Sequence, residues 1–164
     1  KKWQKEGVNG TQVPHVMCRG HSQSTLDSKG SVAIPTRYRD AIMERCEGRL
    51  VATIDRDPCL LLYPIPDWED VERRLMRLPA NKPAIRAFQR RMVGHAAEME
   101  MDSHGRVLIS KELREIAGLE RQAMLIGQGN KFELWDEGRW SQWMAQSNDQ
   151  AGQELPPELE SLPF

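Results

Sequence analysis

Asp102, Ser103 and His104 are the residue types of a hydrolase triad, and they stand side by side. A working triad needs its nucleophile within hydrogen-bond reach of its base, with the members converging from distant positions; three consecutive turn residues point in divergent directions. The same phrase also occurs earlier with Lys29 in place of His104, so the base is absent from the first copy. Acyl-transfer chemistry is therefore not expected, and no catalytic residue is assigned. His15, His21 and His95 are scattered without a His-x-x-x-His spacing, and Cys18, Cys46 and Cys59 lack Cys-x-x-Cys. Neither a metal site nor a disulfide frame is suggested, and the thiols read as reduced and structural. No glycine-rich phosphate loop occurs, and no cofactor is implied.

The phrase itself carries more. Asp27-Ser28-Lys29-Gly30-Ser31-Val32-Ala33-Ile34-Pro35 returns 75 positions later as Asp102-Ser103-His104-Gly105-Arg106-Val107-Leu108-Ile109-Ser110. Asp27 and Asp102 can accept hydrogen bonds from N–H groups two or three residues on, while Gly30 and Gly105 supply positive φ. These four are read as turn-shaping. A turn of this kind does not require the guanidinium of Arg106, which is expected at the exposed end, free to reach a partner. Lys111 and Arg114 lie near it, and Lys29, Arg37 and Arg39 near the first copy. Such clusters can be plain solvated faces. Two related hairpins brought together by a pseudo-twofold axis would instead match the repeating phosphate and base-edge surface of duplex DNA, where arginine reads guanine bidentately.

The elements that position these residues repeat as well. The stretch from Cys18 to Leu26 reads as a strand, with Val32 to Ile34 returning antiparallel to it as a hairpin. Thr36 is expected to cap a helix bearing Tyr38, Ala41 and Ile42 and stopping at Gly48. The runs 50–54 and 59–63 form a second hairpin about Asp55 to Pro58. Asp67 is expected to cap a helix with Trp68, Val71, Leu75 and Leu78 on one face; a further helix runs from Ala84 to Val93, with Ile85, Phe88 and Met92 roughly opposite Arg86, Arg90 and Arg91. The second pass then begins, with Ser110 as cap, Arg114 matching Arg39, and Tyr63 and Trp68 matching Trp135 and Trp140. Trp68, Trp140 and Trp143 read as core. The fold class is thus α+β, mainly β: two tandem β-β-α-β-β units with flanking helices. A single unit cannot bury its apolar face alone, and interleaved hairpins from two could close a small barrel without free edges. The expected divisions are 1–16 as a disordered N-terminal extension, 17–65 as the first repeat, 66–94 as linker helices, 95–138 as the second repeat, and 139–164 as a C-terminal helix with a flexible acidic tail.

The formal net charge of −1 hides an uneven distribution. From Glu133 to Phe164 seven acidic residues face one basic residue, a balance of −6 that leaves +5 to residues 1–132. A modestly basic body precedes an acidic tail. No run of about 18 apolar residues occurs, nor does an apolar leader, so a membrane association is not expected and a cytosolic protein is.

Taken together, the paired Asp-x-x-Gly motifs, Pro35 to Arg39, Cys59-Leu60-Leu61-Leu62-Tyr63-Pro64, Gly94-His95-Ala96 and Asn130 to Trp135 resemble the MraZ family over roughly Met17 to Gln146. The resemblance implies two AbrB/SpoVT-type swapped-hairpin (double-psi-like) units, a ring-shaped homo-oligomer, and a nucleoid-associated transcriptional regulator. Its partner would be double-stranded DNA, at promoter direct repeats upstream of its own operon in the division and cell-wall gene cluster. Arg106, Lys29, Arg37, Arg39, Arg114 and position 31 are the DNA-binding residues it suggests. The family pattern has Arg at the end of both motifs, whereas here the first ends in Ser31, which keeps the turn and loses the cationic reach. A swapped-hairpin scaffold or antitoxin-like interaction module is the alternative.

Overall fold

The computed structural model describes residues 15–149 and 154–163. In chain order these form β1 (His21–Thr25), β2 (Ser31–Ala33), α1 (Thr36–Cys46), β3 (Arg49–Ile54), β4 (Leu60–Pro64), α2 (Ile65–Met76) and α3 (Pro83–Met92). Then follow β5 (Ala97–Glu100), β6 (Arg106–Leu108), α4 (Lys111–Ala117), β7 (Gln122–Gly127), β8 (Phe132–Asp136), α5 (Glu137–Asp149) and the short α6 (Pro157–Glu160). The β-β-α-β-β order occurs twice, each time followed by a Trp-bearing helix.

The strands pair mostly across the two copies. One antiparallel sheet has the order β1-β7-β8-β4-β3-β5, and β2 and β6 form a separate two-stranded ribbon. Exchanging the copies turns that order into its own reverse. The symmetric pairs mark the axis: Val32 lies opposite Val107 in the ribbon and Leu61 opposite Glu133 in the sheet. Only β3–β4 and β7–β8 pair within a copy, as the second hairpin was expected to do.

The first hairpin differs from expectation. β1 pairs with β7, from His21 opposite Ile126 to Thr25 opposite Gln122, while β2 pairs with β6, so the arms leaving the Asp27 turn part company. Apolar alternation fixes which side chains face inward; it does not choose the partner strand. Nor do the ladders close into a barrel, because β1 and β5 remain sheet edges.

Burial explains the central strands. β3 is buried from Leu50 to Ile54 and β4 along its whole length, and these are near-continuous apolar runs, as expected where both faces are covered. Val32, Ile34, Ile42, Leu50, Leu60 and Leu62 are fully excluded from solvent. Each such side chain contributes about 1.5–3 kcal/mol relative to exposure. The three cysteines are buried free thiols, and burial pushes Cys18 up to about 12.

Helix ends sort the expected caps. Ser110 accepts a hydrogen bond from the Leu113 amide at 3.3 Å, as expected. Thr36 does not cap α1: the helix starts on it, and Pro35 at the cap position offers no side-chain bond. Ser110→Ala is therefore expected to cost about 1 kcal/mol, read as a lower thermal midpoint, while Thr36→Ala lowers it far less. Glu47, not Gly48, takes the first left-handed position after α1, at φ 56°. Asp67 does not cap α2 either; it sits in the first turn, buried. There it meets His15 at 2.5 Å and Arg45 at 3.4 Å. His15 and the buried Val16 thus lie against the body, and the earlier part of the segment read as an extension lies outside the described residues.

In the linker, Phe88 points outward and Gln89 takes the buried place, its amide donating to the Leu75 and Leu78 carbonyls and tying α2 to α3. Trp68 is core, but Trp143 is 40 % exposed and stacks on Trp140 above Trp135. Among the described residues, no helix is long and apolar enough to cross a membrane.

Candidate nucleic-acid interface

Both turns have one construction. The Asp27 carboxylate accepts from the Lys29 and Ser31 amides at 2.9 Å each, and the Asp27 and Gly30 amides donate to the Ser31 and Asp27 carbonyls. In the second copy the Asp102 carboxylate accepts from His104 and Arg106, at 2.8 and 2.9 Å. Amide donation stabilises the charged form, so both carboxyls are held below the ordinary carboxylate range, chiefly by the Ser31 amide for Asp27 and the Arg106 amide for Asp102. Gly30 and Gly105 close the turns at φ 93° and 76°.

Each glycine also meets the other copy. The Ile109 amide donates to the Gly30 carbonyl, and the Ile34 amide to the Gly105 carbonyl. Arg114 donates through Nε to the Ile109 carbonyl at 3.1 Å and lays its guanidinium across Gly30; Arg39 does the same to Ile34 at 2.8 Å and lies across Gly105. A Cβ on Gly30 would stand 2.5 Å from Arg114 Nε. Each helix thus bolts down the turn of the opposite repeat. Sequence reading grouped Arg39 and Arg114 with the outward cations because nothing local links them to turns some 66 and 84 positions away.

Arg106 is not free in the way expected. Its Nη2 donates to the Ser31 carbonyl at 2.7 Å and stands 3.6 Å from the Asp27 carboxylate, a crossing of the axis that leaves the side chain 31 % exposed. Ser31 cannot return the contact. On the ribbon, Val32 and Val107 point inward, whereas Ser31, Ala33, Arg106 and Leu108 take the other face, with Leu108 57 % exposed. Lys29 is exposed at its turn tip, as is Arg37, which lies over the Tyr38 ring and donates to Ser22. The structure therefore gathers Arg106, Ser31 and Lys29 about one ribbon and gives Arg39 and Arg114 half-buried places beneath its turns.

One constellation escaped the sequence. Asp55, Cys59 and Glu133 place a ligand-type atom each within 4.8 Å of the others. The β4–β8 pairing joins them, a contact no local spacing announces. Burial above all, then the carboxylates of Glu133 and Asp55, pushes the Cys59 thiol up.

Two interlocked copies of one strand-rich unit, with Arg106 on the ribbon where they meet, define a two-repeat α+β protein. The profile of the family described as "MraZ protein, putative antitoxin-like" matches twice, at residues 17–91 and 92–155. The chain belongs to the MraZ family. It is 51 % identical over 151 residues to the transcriptional regulator MraZ of Halorhodospira halophila, covering 89 % of this chain and 99 % of that protein. It is 47 % identical over 152 residues to that of Methylococcus capsulatus, covering 90 % and 100 %, and 54 % identical over 127 residues to that of Serratia proteamaculans, covering 77 % and 84 %.

Proposed function

We propose that the chain is a sequence-specific DNA-binding transcriptional regulator whose β2–β6 ribbon meets the duplex. The observation that carries this is Arg106, held on the outer face of a two-stranded ribbon at the pseudo-twofold axis. A two-stranded ribbon fits the major groove. Anchoring Nη2 on Ser31 leaves the other N–H donors of the guanidinium for a base edge or phosphate, with the ordering cost already met. Lys29 at the neighbouring turn tip and the exposed Arg37 on α1, beside Ser22, hold phosphate, and Arg39 and Arg114 support the interface by fixing the turns. The pairing of each copy's first two strands with strands of the other supports reading the units as swapped hairpins of the AbrB/SpoVT type.

The resemblance supplies the wider setting: a cytoplasmic, nucleoid-associated homo-oligomer, ring-shaped, bound to direct repeats upstream of its own operon in the division and cell-wall cluster. Avidity is the physical reason such an assembly suits a near-neutral chain, since several weak contacts on closely spaced boxes add up.

A mobility-shift titration against the upstream promoter fragment tests the assignment. Arg106→Ala is expected to weaken binding by about 5- to 150-fold, the equivalent of 1–3 kcal/mol for one arginine contact, and Ser31→Arg to strengthen it. Unchanged affinity for Arg106→Ala overturns the role of that residue. The family's antitoxin-like description supports a second reading, a protein-interaction module, which a stoichiometric copurifying protein and no promoter shift would establish.

A further inference from the structure

We propose that residues 154–163 of one copy dock on the α2–α3 face of a second copy. The proposal rests on the oligomeric reading above and names the surfaces that make it.

The tail has the composition of a docking peptide. Leu155 precedes the Pro156-Pro157 pair, Leu159 lies in the four-residue α6 and Leu162 just follows it, so ten residues carry three large apolar side chains. They are 55 %, 36 % and 46 % exposed, and none joins the core of its own chain. Glu154, Glu158 and Glu160 surround them, with no cation after Arg139. An acidic segment thus carries exposed leucines that no buried cluster of its own chain includes.

The complementary surface is the two-helix unit that Gln89 ties together. Between residues 65 and 93 seven Lys or Arg stand against four Asp or Glu, all four in the first part of α2, where Asp70 pairs with Arg73 and Arg74. Met76, Leu78 and Phe88 are 52 %, 47 % and 37 % exposed on it, large apolar side chains set among cations, with Arg56 over the Phe88 ring at 5.8 Å. Arg77 and Arg90 are exposed. The unit contributes no strand to either sheet. Another exposed apolar face, Trp143 and Met144 on α5, shares its helix with Glu137 and Asp149 and a single cation, Arg139, whose guanidinium lies against Gly118. Charge therefore favours α2–α3, where the tail leucines meet Met76, Leu78 and Phe88 while its glutamates meet arginine. Because the two surfaces are different patches of one chain, the contact is head-to-tail, and repeating it generates a closed ring or a filament.

The test is sedimentation velocity on the full chain across a concentration series. Wild type is expected to sediment as an assembly. Leu159→Asp with Leu162→Asp, and separately Arg77→Glu with Arg90→Glu, are each expected to raise the concentration of half-dissociation by at least about tenfold. Combining Arg77→Glu and Arg90→Glu with Glu158→Arg and Glu160→Arg is expected to restore assembly, which a merely unfolded variant would not do. If wild type assembles and both pairs of substitutions leave its mass unchanged, the docking is overturned while the oligomeric reading stands. A monomeric wild type overturns both. Loss of promoter binding in the Arg77→Glu, Arg90→Glu variant with its mass unchanged assigns the face to DNA and overturns the docking.

Discussion

Gly105→Ala is expected to be among the most damaging single-methyl changes in this chain. Two penalties coincide there. The backbone sits at φ 76°, where an L side chain is strained, and the new Cβ would fall inside the Arg39 guanidinium. Backbone strain of this kind costs about 1–3 kcal/mol, and displacing Arg39 also breaks its bond to the Ile34 carbonyl, worth about 1.5–3 kcal/mol for a charged donor. A loss of roughly 3–5 kcal/mol follows, read as a shift of the denaturant midpoint at unchanged slope. The steric part has a signature. In a double-mutant cycle with Arg39→Ala, removing the guanidinium makes room for the methyl, so the two losses sum to more than the double variant shows. Strict additivity would mean that Arg39 does not hold the opposite turn. Gly30→Ala against Arg114→Ala is the symmetric control.

Arg45→Ala is expected to match that loss by a different route. The Asp67 side chain is 1 % exposed and Arg45 15 %, so the ion pair is largely shut away from water. Removing one member of such a pair strands the other, at a cost of about 3–5 kcal/mol. His15 still touches Asp67, but it is 62 % exposed and is charged only when protonated. Replacing both residues by apolar ones of similar volume, Arg45→Met with Asp67→Leu, is expected to recover most of the loss in the same denaturation experiment, because no buried charge remains. A double variant as unstable as Arg45→Ala would show that the site depends on shape instead.

These two sites also mark where the sequence was and was not legible. The Asp-x-x-Gly turns could be read because their chemistry is local: Asp27 bonds amides two and four residues on, and the glycine follows at a fixed offset. Ser110 was legible for the same reason. The seat of Arg39 was not, because it depends on a glycine in the other repeat, and an arginine near a helix start looks the same whether it faces solvent or a neighbour's backbone. Asp67 was misplaced by its type: an acidic residue beside a helix start suggests a cap, but Pro66 and Ile65 already belong to the helix, so the carboxylate falls within the first turn and is buried on Arg45. The apolar alternation of 32–34 correctly put Val32 inside, yet the partner strand lay in the second copy. Repetition in the sequence announced two units and led to interleaved hairpins; it did not announce that the two arms of the first hairpin would part, one to β7 and one to β6.

That exchange has a consequence in the order of synthesis. β1 leaves the ribosome early, but β7, its partner, follows roughly a hundred residues later, and β2 likewise waits for β6. Pairings so distant in sequence form late, after loop-closure entropy has been met. Through most of translation the first repeat therefore carries bare strand edges and the Val32 face open to water, and a nascent chain is at its most vulnerable to aggregation and proteolysis just before the second copy of its own sequence arrives.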